Sequence, residues 1–279
     1  MVSLADRARR IEAKSKPMRA ALQRWFAQNA RVIVEAEMDR ALKGKSSKDL
    51  ALRHAIKKIS VEDMERDLRR IFEIYGTKAL EDGGVKGGTF IRDYMDAKVP
   101  LIQGIISGTR DAVREQIGTI IADALGEDTI PSPGEIARRI RTTMIGTGGG
   151  KITGATEIGT TTGGTKEVST TGGHLYVFSS ERAATIARTE IAQAENTGIF
   201  AGYAETGVEE IEWLSYRGPY PSGAKRGPFD RHHDKMNGMR AKPGEYFTTP
   251  LGNKLRYPAD PDGPIGETIN CRCTIRAVI

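Results

Sequence analysis

The most restrictive feature of the sequence is a stretch that cannot form a core of its own. Residues 146–173 contain 10 Gly and 9 Thr in 28 positions. Such a composition has too little apolar surface to offset the entropy of ordering the chain. We therefore expect a linker or long loop at 144–177, which separates a domain at 1–143 from a second domain at 178–279.

Residues 1–143 have the apolar spacing of amphipathic helices. Side chains that recur every three or four positions predict four helices, at about 18–33, 60–80, 100–125 and 132–144. Ser60 and Ser132 are suitable N-caps for the second and fourth helices, and Pro17 can occupy the first turn of the first helix. This half is therefore expected to be all-α.

The C-terminal segment mixes helical and strand-like patterns. A helix is predicted from Ser180 to Glu205, with small residues along one stripe that would let it lie close to its neighbour. Aromatic and apolar runs after it predict short strands at 211–216, 246–249, 254–257 and 272–279. The expected fold class is α+β, with an all-α N-terminal half followed by a small α+β module that contains an antiparallel sheet.

The net charge of +6 comes from one half of the chain. Residues 1–143 carry 27 Lys and Arg against 21 Asp and Glu, whereas residues 144–279 carry 15 of each kind. Such an excess is most often a solvated surface, but it also fits contact with DNA or with an acidic protein. Because the sequence has no run of 18 apolar residues and no apolar leader, we expect synthesis in a cytoplasm and no membrane partner.

Residues 180–279 carry an ordered series of short motifs. They are Arg188-Thr189-Glu190 in the predicted helix, Trp213 in the first predicted strand, His233 followed by Asn237-Gly238, a turn with Pro258 and Asp260, and Asn270-Cys271-Arg272-Cys273 near the end. Each motif is weak alone. The ordered set closely resembles the phage Mu F-like head morphogenesis family, whose members are minor head proteins.

The resemblance implies a structural, non-enzymatic protein of a tailed bacteriophage. Proteins of that family are associated with the portal inside the procapsid and act in few copies, in head assembly or in DNA delivery. The implied location is the interior of the virion head near the portal, after assembly in the host cytoplasm. The implied partners are the portal protein and other head proteins. Residues 1–143 carry no motif that we can assign, so by elimination we expect them to dock on the portal or on other helices of the head, through their apolar stripes.

The two cysteines of the chain are separated by one residue. On a strand, Cys271 and Cys273 would point to the same side, and thiolates combined with an imidazole suit zinc. The hypothesis is a structural zinc site formed by these cysteines and His233. The fourth ligand would be water or one of three side chains, His232, Asp234 or Asp260. The alternative is that both cysteines are buried small apolar residues and that His233 is a hydrogen-bonded structural residue.

Two other functions stay open at this point. A Cys–His pair can form a nucleophile, so His233 with Cys271 and Cys273 could serve a nuclease- or transferase-like enzyme, with Arg188 and Glu190 in the same pocket. Alternatively, the basic helical half could make the chain an internal virion protein that contacts packaged DNA through phosphates, without sequence preference.

The remaining motif residues have structural interpretations. Arg188 and Glu190 are expected to bond to groups on the sheet, such as those near Asn270. Trp213 is expected to anchor the core. Asn270 and the pair Asn237-Gly238 are expected to form turns, because Asn and Gly tolerate left-handed backbone conformations.

Overall fold

The computed structural model describes residues 4–42, 60–127, 131–145, 178, 180–216 and 232–278. Its helices are α1 (Leu4–Ala41), α2 (Val61–Asp82), α3 (Gly88–Ala97), α4 (Val99–Leu125), α5 (Pro133–Ile145), α6 (Ser180–Glu205) and the short α7 (Ile265–Thr268). Its strands are β1 (Ile211–Leu214), β2 (Arg240–Ala241), β3 (Phe247–Thr248), β4 (Lys254–Leu255) and β5 (Thr274–Ala277), and a 3-10 turn covers His233–Met236. The predicted α+β class is confirmed, while positions 146–177 of the predicted linker lie outside the described residues.

The predicted N-caps are confirmed. The Asp63 N–H donates to Ser60 Oγ at 3.1 Å, and the Ser60 N–H donates back to the Asp63 carboxylate at 3.3 Å. At the start of α5, the Glu135 N–H donates to Ser132 Oγ at 3.2 Å. Each serine therefore satisfies one of the N–H groups that the first turn of a helix leaves without a partner.

The first helix is longer than predicted, and the placement of Pro17 in its first turn is wrong. Helix α1 begins at Leu4, so Pro17 lies in its interior, where it removes one backbone hydrogen bond. Ile11 before it and Met18 after it are both buried. Packing on both sides of the proline thus outweighs the local cost, which residue propensities alone do not reveal.

The strands form two small antiparallel sheets. In the first sheet the order is β2-β1-β5, and the register pairs Trp213 with Ile275 and Leu214 with Thr274. In the second sheet, β3 pairs with β4. The strand predicted to begin at 272 begins at Thr274, so the two cysteines lie in the extended segment that leads into β5.

The chain divides into two compact units that are not continuous in sequence. The first, here called the sheet unit, comprises Met1–Arg19, Ile71–Ala97 and Ala184–Ile279. The second, here called the helical unit, comprises Ala20–Arg70 and Lys98–Ala183. Residues 1–143, predicted from the sequence as one helical domain, therefore contribute to both units.

The helical unit has an apolar core with buried carboxylates inside it. Its fully buried side chains include Leu22, Phe26, Ile102, Ile117 and Ile140. Glu35 is completely buried and accepts two hydrogen bonds from Arg141, at 2.6 and 3.0 Å. This bidentate contact provides the partner that a buried charge requires.

In the part of the chain that the structure describes, no helix is both long enough and apolar enough to cross a membrane.

Candidate metal centre

Three side chains of the sheet unit converge on one buried point. His233 Nδ1 lies 3.8 Å from Cys271 Sγ and 3.9 Å from Cys273 Sγ. The three possible ligand atoms all lie within 4.8 Å of one another, and all three residues are buried. The structure therefore brings together the histidine and both cysteines of the motif series.

These distances can be compared with those around a bound zinc ion. Tetrahedral zinc, at about 2.3 Å from sulfur and about 2.0 Å from nitrogen, holds those two ligand atoms about 3.5 Å apart. The two separations in the structure exceed this value by about 0.3 and 0.4 Å, which small side-chain rotations can close. The donor set and its spacing both fit a soft divalent cation such as zinc.

The far side of the His233 ring is bound to a buried carboxylate. Nε2 lies 2.7 Å from Glu267 Oε2, and Glu267 is 1% exposed. The other oxygen, Oε1, accepts hydrogen bonds from Thr249 Oγ1 at 2.7 Å and Asn253 Nδ2 at 2.8 Å. Burial alone would raise the pKa of Glu267, but these donors together with His233 lower it, so the carboxylate is held ionised.

The pKa values of the two thiols are shifted in opposite directions. The hydrogen bond from Cys273, together with the nearby His233, lowers the pKa of the Cys271 thiol well below its usual value. The bond to Cys271, together with burial, raises the pKa of Cys273. Burial opposes a positive charge on His233, but Cys271 and Glu267 raise the pKa of its imidazole overall. Without a metal, the site thus favours ionisation of Cys271 over ionisation of Cys273.

Burial and the bond to Cys271 raise the pKa of Cys273 overall, but nearby N–H groups favour negative charge on both sulfurs. The backbone N–H of Cys273 lowers the pKa of Cys271, and the backbone N–H of Tyr216 lowers that of Cys273. Among the described residues, the buried indole N–H of Trp213 has no partner at hydrogen-bond distance, and it also favours charge on Cys273. Such donors suit two thiolates, the state in which cysteines bind metal.

Aromatic side chains cover the cluster. The Trp213 ring is fully buried and meets the His233 ring edge-on, with 5.4 Å between centroids. Phe247 contacts the same indole at 5.3 Å. The prediction that Trp213 anchors the core is confirmed, and its position keeps water from one side of the candidate site.

Backbone contacts between β1 and the following turn fix the position of His233. The Ser215 hydroxyl donates to the His233 carbonyl, and the Ser215 N–H donates to Asn237 Oδ1 at 3.0 Å. The Gly238 N–H donates to the Trp213 carbonyl at 2.9 Å. Gly238 has the expected left-handed backbone, with φ of 84°. Asn237 does not, because its φ is −60°, and it acts through its side chain instead.

The other end of the site is attached to α6. Asn270, with φ of 55°, donates its N–H to Thr189 Oγ1 at 3.0 Å and accepts a bond from Arg188 Nη1 at 2.7 Å. The expected contact between Arg188 and the Asn270 region is confirmed. Arg188 also donates to Glu12 of α1 at 2.9 Å, a partner that the sequence did not indicate. Glu190 is buried.

The three side chains named as possible fourth ligands are not part of the cluster, which in the described residues consists of His233 and the two cysteines. Asp260 instead binds the Arg256 guanidinium at 2.6 and 2.9 Å and closes the turn that contains Pro258. His232 has a left-handed backbone, and Asp234 lies within the 3-10 turn. Among the described residues no side chain completes the set, so we expect water or another small donor as the fourth ligand.

Sequence reasoning missed the groups behind the histidine. Glu267 lies in the four-residue helix α7, while Thr249 and Asn253 lie in the loop between β3 and β4. The sequence carries no signal for these contacts, because a single Glu or Thr in a short turn has no diagnostic spacing. Only the fold brings Glu267 to the His233 ring, and Thr249 and Asn253 to Glu267.

The fold and this cluster together define an α+β protein with a candidate metal centre of one histidine and two cysteines. Comparison of the chain with protein-family models, with curated proteins and with solved structures found no match.

Proposed function

We propose that this chain is a structural minor head protein of a tailed bacteriophage, whose sheet unit is closed by a zinc ion. One observation carries the proposal. Motif residues that are far apart in sequence form one connected cluster, which runs from Arg188 and Thr189 through the Asn270–Cys273 segment to His233 and Trp213. Its centre, formed by Trp213, His233 and the two cysteines, is buried. Their ordered series therefore has a shared physical role, and this supports the resemblance to the minor head protein family.

Burial of the cluster supports a structural role over a catalytic one. Cys271 is 3% exposed, Cys273 5% and His233 9%, so the ligands offer a substrate little access. A cavity of about 380 Å³ in the same unit is lined by Phe90, Phe200 and Tyr257, and neither His233 nor either cysteine lines it.

An ion bound by the cluster would join the 3-10 turn to the segment before β5. His233 and Cys271, which belong to these two segments, are 38 positions apart in the chain.

Zinc is the cation proposed for this cluster. His233 and the thiolates of Cys271 and Cys273 would hold it, and the ion would supply a crosslink without redox chemistry. The protein's own contribution is the shielding by Trp213 and the N–H groups that favour negative charge on the sulfurs. Because a preformed site exists only in the folded chain, the binding energy of the ion would add to the stability of the sheet unit.

The zinc part of the proposal is tested by elemental analysis of full-length protein never exposed to chelator. We expect about one zinc per chain, and we expect Cys271→Ser and Cys273→Ser each to lose it. A matched serine substitution at Ala204, which is exposed on α6, should retain the ion. Metal-free wild-type protein that is folded and as stable as protein supplied with zinc would overturn this part.

The head-protein part is tested in the virus. The full-length chain, tagged and co-expressed with the portal protein and other head proteins of its phage, is expected to co-purify with portal and to be present in purified heads. Mass spectrometry of the heads gives the result directly. Heads that assemble without any trace of the chain, together with no retention on immobilised portal, would refute the assignment.

The region that docks on the portal is best mapped with substitutions rather than truncations. Residues 1–19 and 71–97 belong to the sheet unit, so deletion of 1–143 would damage that unit as well. Charge reversals at exposed positions of the helical unit, such as Arg24 and Arg31, leave both units complete. Retention on portal that is unchanged by a set of such reversals would contradict docking through the helices.

A further inference from the structure

We propose that Glu267 is a positioning residue for the metal centre, and that its carboxylate holds the His233 ring so that Nδ1 faces the two sulfurs with its lone pair. This inference rests on the proposed zinc site and adds to it a residue that no motif contains. The role follows from the contacts on both sides of the ring, from the contacts on both oxygens of the carboxylate and from the place of these groups in the fold.

The first step concerns the tautomer of His233. A neutral imidazole carries its proton on one nitrogen and a lone pair on the other. Glu267 Oε2 accepts a hydrogen bond and lies 2.7 Å from Nε2, so the proton is held on Nε2. In the zinc-bound site the ring carries no second proton, so its lone pair is on Nδ1, the atom that lies 3.8 and 3.9 Å from the two sulfurs. Metal-binding histidines commonly use a carboxylate in this way.

The second step concerns the carboxylate itself. Its second oxygen, Oε1, accepts one bond from Thr249 Oγ1 at 2.7 Å and one from Asn253 Nδ2 at 2.8 Å. With both oxygens occupied, Glu267 cannot rotate without breaking several hydrogen bonds in a buried position, where each lost partner is costly. The ring that it contacts is therefore held in one orientation.

The third step concerns the source of the two donors. Thr249 and Asn253 belong to the loop that joins β3 to β4, and they also bond to each other. The Thr249 N–H donates to the Asn253 carbonyl at 2.8 Å, and the Asn253 N–H donates to Thr249 Oγ1 at 3.2 Å. This loop is thus built to present two donors to one carboxylate, and the second sheet is coupled through Glu267 to the metal ligand.

These contacts make Glu267→Gln a sharp test. A glutamine keeps the size of the side chain but replaces one oxygen by an NH₂ group. If the amide oxygen faces His233, the NH₂ group meets the Asn253 NH₂ group, and two donors oppose each other. If the NH₂ group faces Nε2 instead, that nitrogen must accept, so the ring proton moves to Nδ1 and blocks the metal position. Either arrangement weakens the site.

The experiment measures zinc affinity by competition with a chromophoric chelator, using the full-length chain. We expect Glu267→Gln to bind zinc about 10 to 100 times more weakly than the wild type. The control is Glu209→Gln, the same chemical change at an exposed position of the same unit, and it should bind as the wild type does. Long-range ¹H–¹⁵N spectra of zinc-loaded wild-type protein should show the His233 proton on Nε2, a result that a merely structural glutamate would not require.

The outcomes separate this inference from the proposal on which it rests. Wild-type protein that binds no zinc refutes the metal site and this inference together. Wild-type protein that binds zinc, with Glu267→Gln of equal affinity and the His233 proton on Nδ1, refutes only the positioning role. If Glu267→Gln does not fold, Thr249→Val removes a single donor, and its affinity should be lower by about 5-fold. An unchanged affinity in that variant would also overturn the inference.

Discussion

Helices α6 and α2 pass very close to each other in the sheet unit, so an alanine at Gly198 should destabilise the fold, although alanine usually stabilises a helix. Gly198 of α6 passes the C-terminal end of α2, where a Cβ at position 198 would lie 2.6 Å from the Leu80 carbonyl oxygen and 3.1 Å from Gly83 Cα. These atoms belong to the backbone, so rotation of a side chain cannot relieve the clash. The prediction that small residues let α6 lie close to its neighbour is confirmed at this point.

The two glycines of α6 allow a matched comparison. Alanine is favoured over glycine inside a helix by about 1 kcal/mol, whereas overpacking of a close contact costs up to about 3 kcal/mol. We therefore expect Gly198→Ala to lower the free energy of unfolding by about 2 kcal/mol. At Gly202 a Cβ would meet nothing within 4 Å, so Gly202→Ala should raise the free energy by up to about 1 kcal/mol.

The assay is urea unfolding of the full-length variants with saturating zinc, followed by circular dichroism. The argument depends on the difference between the two variants, about 3 kcal/mol, more than on either value alone. Equal stability of the two alanine variants would show that α6 and α2 can separate at no cost, and this would refute the close packing as a constraint.

Three further predictions follow from buried or strained groups. Arg141→Ala should lower the free energy of unfolding in urea by about 3 kcal/mol, because it leaves the buried Glu35 charge without its bidentate partner. Arg138→Ala, at an exposed position, should lower it by less than about 1 kcal/mol. Equal losses in the two variants would contradict a stabilising role for the Glu35–Arg141 pair. Burial raises the pKa of Tyr257 to about 12, so its contribution to stability is complete below the unfolded pKa of about 10 and is lost as the pH rises through about 12. An ultraviolet difference titration against Tyr257→Phe checks this value, and a midpoint near pH 10 would rule it out. At Asn270, where φ is 55°, the Gly variant should be more stable than the Ala variant by about 1 kcal/mol in thermal unfolding. A more stable Ala variant would mean that the turn can adopt another backbone conformation.

The helices could be predicted from sequence because their signals are local. Ser60 and Ser132 mark two helix starts through hydrogen bonds that span three residues, and the apolar spacing of α4 and α6 is regular. Helix α3 was not predicted, because it lacks such local signals. It begins at Gly88 and has one buried residue in the described core, Met95. Without a stripe of buried side chains there is no period to detect.

The strands were less predictable, because their extent depends on partners that are distant in the chain. Apolar content located β1 and β5, but the observed strands β3 and β4 are only two residues long. Their length is set by the turn at 249–253, where Thr249 and Asn253 use their hydrogen bonds on each other and on Glu267. Composition alone does not show where such a loop ends the hydrogen bonding between two paired strands.

Only the candidate ligand side of the site, formed by His233 and the two cysteines, was predictable from the sequence. Cys271 and Cys273 share a short spacing, and His233 stands in a motif that resembles a known series, so ligand chemistry alone suggested the group. The carboxylate side consists of Glu267 with its two donors, common residues at positions with no pattern. Residues that act through another residue leave little trace in one sequence, since their role depends on the fold that places them.

The division of the chain into units also changes how the docking hypothesis should be understood. The sequence suggested a helical half that docks and a separate module that carries the motifs. Yet Glu12 of α1 bonds to Arg188, and Lys14 contacts both Asp82 and Glu195 at 3.2 Å, all inside the sheet unit. The start of α1 is therefore part of the structure that holds the candidate metal ligands in place. If the chain binds the portal as proposed, a loss of binding after removal of the first residues would report damage to the sheet unit. Only substitutions confined to the helical unit can therefore test whether its surface makes the proposed contact.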